Sequence, residues 1–199
     1  MDVVWNPLSV EEIADRFGAI DVDWWIAGGR AIDLYLGWET RPHEDIDVEM
    51  FRTDREILFD VFPGWDLHVV SEGALVPWNP GDGLAPAVFG VWGRPSTDDD
   101  WAVEVMLADG GADEWRFRRD PTIRMPRSRL TGMTRSGIPF CAPEVQLLYK
   151  SKQARAKDDV DFVRTLHRLD RSQRIWLRDA VAKASPEHPW VVALEGAVE

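Results

Sequence analysis

The run EDIDVEMF alternates acidic with apolar residues, the period of a half-buried strand. Asp45, Asp47 and Glu49 would then share one face, with Ile46, Val48 and Met50 toward the core. Carboxylates crowded in this way repel unless a cation neutralises them, and oxygen-only ligands suit hard Mg²⁺ rather than zinc. A third carboxylate from another strand would complete the set. Glu104, an acid inside the otherwise apolar WAVEVML, is the best candidate, because an unpaired charge there is costly to bury. An exposed strand face with acids on its wet side would give the same alternation. Asp98, Asp99 and Asp100 read as loop acids, in a turn or a helix cap.

What separates the two readings is the context. Gly28 and Gly29 follow the apolar run VDWWIA and precede a helical pattern, RAIDLYLG, that Gly37 ends. At such a junction the missing side chains let backbone N–H groups and the helix N-terminus approach phosphate oxygens. Strand, Gly-Gly, helix, and then Asp-x-Asp on the next strand after fifteen intervening residues is a specific combination.

The elements that must position these residues are legible in outline. Ser9, three residues before Glu12, is a capping-box signature for a short helix ending near Gly18. RTDREILFDVFPG is expected to be a helix with Thr53 at its N-cap, followed by the strand WDLHVV, so the first half reads αβαβαβ. A Gly-, Pro- and Asp-rich stretch between Ser71 and Asp100 holds one strand, AVFGVWG. WAVEVML, EWRFRR and GIPFCA are further strands. From Pro143 a long amphipathic helical stretch begins, then a helix capped by Ser172, then a short final helix over PWVVALEGAVE. The expectation is an α/β (α+β) core over 1–142, a mixed sheet flanked by helices, with a helical C-terminal portion over 143–199 packed on it.

The chain of 199 residues suits one domain with an appendage, and no apolar run approaches the ~20 residues that span a bilayer. The acidic start MDVVWNPLSVEE has neither the basic beginning nor the apolar core of a signal peptide, and Cys141 is the lone cysteine. Together these predict a cytoplasmic protein. The net charge of −12 argues against a broad nucleic-acid surface. It is unevenly spread, however: residues 115–157 carry eleven Lys or Arg against Asp120 and Glu144, a balance of +9 that leaves −21 for the remainder. One segment could face polyphosphate while the rest faces something neutral or cationic.

With these residues in view, the chain resembles the DNA polymerase β nucleotidyltransferase superfamily, and within it the lincosamide nucleotidyltransferases and aminoglycoside 2''-adenylyltransferases. Gly28, Gly29, Asp33, Gly37, Arg41, His43, Asp45 and Asp47 match their Gly-Gly turn and Arg-x-His-x-Asp-x-Asp run without a gap. PEVQLLYKSKQARAKDDVDF resembles their C-terminal helix with its Lys-Asp-x-x-Asp run. The resemblance implies transfer of a nucleoside monophosphate, AMP in the first instance, from an NTP such as ATP to a hydroxyl of a small antibiotic-like molecule, with release of pyrophosphate. It further implies that Asp45, Asp47 and Glu104 hold two Mg²⁺ ions about 4 Å apart, with Glu104 also the general base. Gly28, Gly29, Arg30, Arg41, Lys150 and Lys157 are then the nucleotide-binding residues, and Asp33, His43, Asp158 and Asp161 the structural support. Arg30 departs from the pattern, standing where the antibiotic enzymes carry Trp. Related toxin-type enzymes that act on tRNA share the Gly-Gly turn and Asp-Ile-Asp strand, so an RNA acceptor is an alternative, as is a non-catalytic nucleotide-binding descendant. A second subunit in a homodimer could complete a shallow site.

Overall fold

The computed structural model describes residues 4–198. Met1, Asp2 and Val3, the first residues of the start read against a signal peptide, and Glu199, the end of the expected last helix, lie outside that range. The chain opens with α1 (Val10–Phe17), β1 (Trp24–Ile26), α2 (Gly28–Leu36) and β2 (Asp47–Phe51). A 3₁₀ segment (Arg52–Ile57) runs into α3 (Leu58–Val61), followed by β3 (Asp66–Ser71), β4 (Ala74–Pro77), β5 (Gly90–Arg94) and β6 (Val103–Gly110). Then come β7 (Glu114–Arg116), β8 (Arg124–Pro126), α4 (Arg127–Leu130), β9 (Thr131–Met133) and β10 (Pro139–Cys141). The chain continues through α5 (Pro143–Ser151), α6 (Ala156–Leu166), α7 (Arg171–Ala184) and α8 (Pro189–Val198).

Local chemistry sets these boundaries. Ser9 and Glu12 close a reciprocal capping box on α1, and Pro143 occupies the first turn of α5, where its missing N–H costs nothing. Gly37 ends α2 in the left-handed region at φ 86°, its N–H bonded to the Asp33 carbonyl. Three expectations are corrected. Thr53 lies inside the 3₁₀ segment and caps nothing. Asp170, not Ser172, caps α7, accepting from the Gln173 N–H. The stretch after Pro143 is two helices, broken over residues 152–155. The short strands β4, β8 and β9 were too brief and too irregular in pattern to be read from sequence.

The strands form one mixed sheet in the order β4-β3-β5-β6-β2-β1-β10-β9, with β7 and β8 hung from β6. Among the named strands, β1–β10 and β2–β6 pair in parallel and the other pairs are antiparallel. Register matters most along one lateral row: Asp47 stands opposite Glu104, Glu104 opposite Trp92, and Trp92 opposite His68. Registered neighbours project to the same face, so the acids of β2 and β6 stand side by side. A single hydrophobic cluster unites strand residues such as Trp25, Val48 and Val105 with Val145, Leu148, Phe162 and Leu177 of the later helices.

Nothing lies within 4 Å of a Cβ added at Gly37, so its need for glycine is conformational alone. Gly37→Ala should destabilise the protein by about 1 kcal/mol through the left-handed backbone. A lower denaturant midpoint at unchanged slope is the expected reading.

Candidate active site

Asp47 opens β2, directly beneath the turn that starts α2. Gly28 has φ 64°, and a Cβ there would fall 1.9 Å from Asp47 Oδ2. Glycine is thus required twice, by the backbone conformation and by the carboxylate it touches. A Cβ on Gly29 would sit 2.3 Å from the His43 ring and 2.5 Å from Arg41 Nη2. On the other side of the sheet row, a Cβ on Gly90 would approach Glu104 Oε1 to 3.0 Å.

The loop between α2 and β2 is fixed from within. Asp33 is buried, accepts from the Thr40 N–H and hydroxyl at 3.0 and 2.6 Å, and meets His43 Nε2 at 2.6 Å. Burial pushes the His43 imidazole below its ordinary value, against the pull of Asp33. His43 therefore holds the loop through Asp33 rather than through Asp45. Asp45 itself lies in exposed coil ahead of β2, outside the strand predicted to contain it.

Burial pushes the Asp47 carboxyl up to about 7, and the neighbouring Glu104 and Asp45 carboxylates push in the same direction. Glu104 is also raised, by burial first, while the nearby Trp92 indole N–H acts the other way. Glu49 corrects the picture of a wet acidic face: it is 5% exposed and accepts from Trp25 Nε1 at 2.8 Å and the Tyr149 hydroxyl at 3.3 Å. The strand is covered on both faces, and Glu49 lies beneath the cluster, satisfied by protein donors.

Asp45, Asp47 and Glu104 offer only carboxylate oxygens, a donor set that fits a hard divalent cation. The like-charge crowding that raises Asp47 is what such a cation would relieve. Among the described residues no three Asp, Glu, His or Cys side chains already stand as a closed ligand set. Asp45 is exposed, forms no side-chain hydrogen bond or ion pair among the described residues, and lines the same cleft as Asp47.

A cleft of about 510 Å³ opens beside these acids, bordered by Gly28, Gly29, Asp45 and Asp47 on one side and by Arg41, Arg119, Lys150, Lys152, Arg155 and Lys157 on the other. Lys150 does not extend freely into it. Its ammonium is held by Asp158 at 3.1 Å and Asp161 at 2.9 Å, both buried, and Arg41 Nη2 adds a contact to Asp161 at 3.4 Å. Arg155 joins through Asp158 at 2.8 Å. This network ties α6 to α5 and to the loop that carries Asp45. The Gly28 N–H donates to Gln146 Oε1 at 2.8 Å, which fixes the turn to α5. Arg30 is not brought to the cleft: it pairs with Glu39 at 3.4 Å and borders a separate cavity.

Arg119, Lys152, Arg155 and Gln146 were not singled out from sequence. The break after α5 sets Lys152 and Arg155 on a loop that borders the cleft, and a continuous-helix reading hides that. Arg119 arrives from the end of β7, a placement that only the sheet topology decides.

Residues 9–67 match the family model of the aminoglycoside-2''-adenylyltransferases. The solution structure of the antibiotic-resistance factor ANT(2'')-Ia is similar at TM-score 0.58 and 17% identity, over 94% of this chain and 93% of that one. The chain has the fold of the antibiotic nucleotidyltransferases. A crystal structure of ANT(2'')-Ia in complex with adenylyl-2''-tobramycin is similar at TM-score 0.55 and 14% identity, over 88% of this chain and 95% of that one. The lincomycin-bound lincosamide adenylyltransferase LnuA gives TM-score 0.55 and 17% identity, over 80% and 97%. No curated protein matches the sequence. In this fold the matched segment of the present chain carries the Gly-Gly turn, the Asp33–His43 brace and the two aspartates. No helix among the described residues is long and apolar enough to cross a membrane.

The network has a pH signature. Burial pushes the Asp158 carboxyl up, but hydrogen bonds from the Arg155 side chain and backbone, and Lys150, outweigh it and hold it down at about 2. The unfolded value is about 3.9, so this contribution is complete above it and lost as pH falls through the folded value. Acid unfolding of Asp158→Asn should lack that part of the pH dependence between about 4 and 2.

Proposed function

We propose that this protein transfers a nucleoside monophosphate, AMP in the first instance, from an NTP to a hydroxyl of a small cationic, antibiotic-like molecule, releasing pyrophosphate. The observation that carries this reading is the junction at Asp47: a glycine turn pressed onto one carboxylate, a second carboxylate in lateral register, and a basic cleft on the side of the turn. The family match over the same segment supports it, as do neighbours of like fold bound to an adenylylated tobramycin and to lincomycin.

The division of labour follows from charge. Arg119, Lys152 and Lys157 are the cleft cations that form no ion pair among the described residues, and they bind the triphosphate. Lys150 and Arg41, already committed to Asp161, set the shape of the cleft and add field rather than a free contact. Asp45, Asp47 and Glu104 would hold the divalent cations. Such ions, when bound, neutralise phosphate charge and acidify a hydroxyl. Glu104, raised by burial, accepts the proton of the attacking hydroxyl at its carboxylate. The acceptor enters at the end of the sheet where Glu44 and Asp45 lead into β2 and Asp98, Asp99 and Asp100 lead toward β6. That acidic mouth favours a cation.

The RNA alternative needs one contiguous basic groove. Much of the basic segment is engaged elsewhere: Arg116 and Arg124 on Glu114, Arg127 on Asp23 and over the Phe51 ring, and Arg129 toward Glu144. A small acceptor is therefore the better supported.

Pyrophosphate release with Mg²⁺ and each of the four NTPs, against aminoglycosides, lincosamides and bulk tRNA, tests this. Release should depend on a cationic small molecule and fall more than about 100-fold in Asp47→Asn with the fold retained. Unchanged turnover in that variant would end the scheme.

A further inference from the structure

The chain has only four lysines, Lys150, Lys152, Lys157 and Lys183, and draws the rest of its positive charge from arginine. All four border two adjoining recesses. Lys150, Lys152 and Lys157 border the cleft described above, and Lys152 and Lys183 border a second recess of about 470 Å³. Arg119 and Lys152 line both, so the two meet at these side chains. Phe117, Leu148 and Pro121 line the second recess as well, and Lys183, near the C-terminal end of α7, is part of its rim.

Its lining carries three cations against one carboxylate. Arg119, Lys152 and Lys183 form no ion pair among the described residues, unlike Lys150 with its two aspartates. The one carboxylate lining the recess, Asp120, accepts the Thr122 N–H and hydroxyl, and these bonds, with the charge of Lys183, hold its carboxyl below the usual range. Arg119 is further crowded: burial and the adjacent Arg118 both lower its affinity for a proton, and its Nη1 donates only to the Tyr149 carbonyl, at 3.1 Å. In a chain of net charge −12, a concavity lined by three cations and one carboxylate favours a compact polyanion, and lysine ammonium groups are well suited to phosphate as point charges.

We propose that this second recess is a pyrophosphate subsite, entered from the cleft between Arg119 and Lys152 and closed at its far side by Lys183. The inference rests on the transferase reading for the origin of its ligand. In that reaction the acceptor oxygen bonds to the α-phosphorus as the bond from that phosphorus to the bridging oxygen breaks. The hydroxyl proton passes to Glu104, and the electron pair leaves on the pyrophosphate oxygen. The pyrophosphate group reaches the recess either as the β,γ end of the bound NTP or as the freed product.

Calorimetric titration of the full chain with inorganic pyrophosphate, and separately with an α,β-methylene ATP analogue, distinguishes these. Lys183 is exposed, so Lys183→Gln should fold normally, and Lys183→Arg keeps the charge. Lys183→Gln is expected to weaken pyrophosphate binding about fivefold, with recovery in Lys183→Arg. Loss confined to pyrophosphate assigns the recess to the product; equal loss with the analogue assigns it to the β,γ-phosphates. Pyrophosphate binding unaltered by Lys183→Gln overturns the subsite. Because the readout needs no turnover, Lys183-dependent binding in a protein that consumes no NTP would leave the subsite standing and overturn the transferase reading instead.

Discussion

The approach of the Gly28 backbone to the Asp47 carboxylate is the constraint on which the rest of the site depends. With a Cβ position only 1.9 Å from Asp47 Oδ2, no other residue fits, and the positive φ adds a second demand for glycine. Once that contact is made, the start of α2 and the start of β2 are fixed against each other. The parallel pairing of β2 with β6 then determines where Glu104 stands. Gln146 extends the constraint by accepting the Gly28 N–H, so that α5 is positioned by the same turn.

Two charge environments meet at this junction. On the α5–α6 side, Lys150, Arg41 and Arg155 are spent on Asp158 and Asp161, while Arg119, Lys152 and Lys157 form no ion pair among the described residues. A buried network of this kind contributes little net stability relative to an apolar one, but removing one member strands the others. At the end of the sheet where β2 and β6 begin, the preceding coils carry Glu44, Asp45, Asp98, Asp99 and Asp100. In the proposed transfer the triphosphate would take the basic side of this junction and a cationic acceptor the acidic end.

Much of this was legible in the sequence because the signals are local. The Ser9–Glu12 cap, Gly28-Gly29, the left-handed Gly37 and Pro143 at a helix start each report a backbone requirement within a few residues. The alternation around Asp47 located the strand but extended it to Asp45, which lies in coil, and it could not show the burial of Glu49, whose partners Trp25 and Tyr149 come from 24 and 100 residues away. The same limit hid Arg119 and Gln146, which reach the cleft only through tertiary packing. Arg30 shows the converse: its place in the motif suggested phosphate, but one helical step turns it from the cleft toward Glu39.

The most direct measurement is the mass of a cationic aminoglycoside acceptor after incubation with ATP and Mg²⁺, with the wild-type protein and with Gly28→Ala. The wild-type protein should add one nucleoside monophosphate to the acceptor. Gly28→Ala, by displacing Asp47, should add it about 100-fold more slowly. An acceptor of unchanged mass with the wild-type protein, or equal rates in the two proteins, would contradict a transfer site built on the Gly28–Asp47 contact.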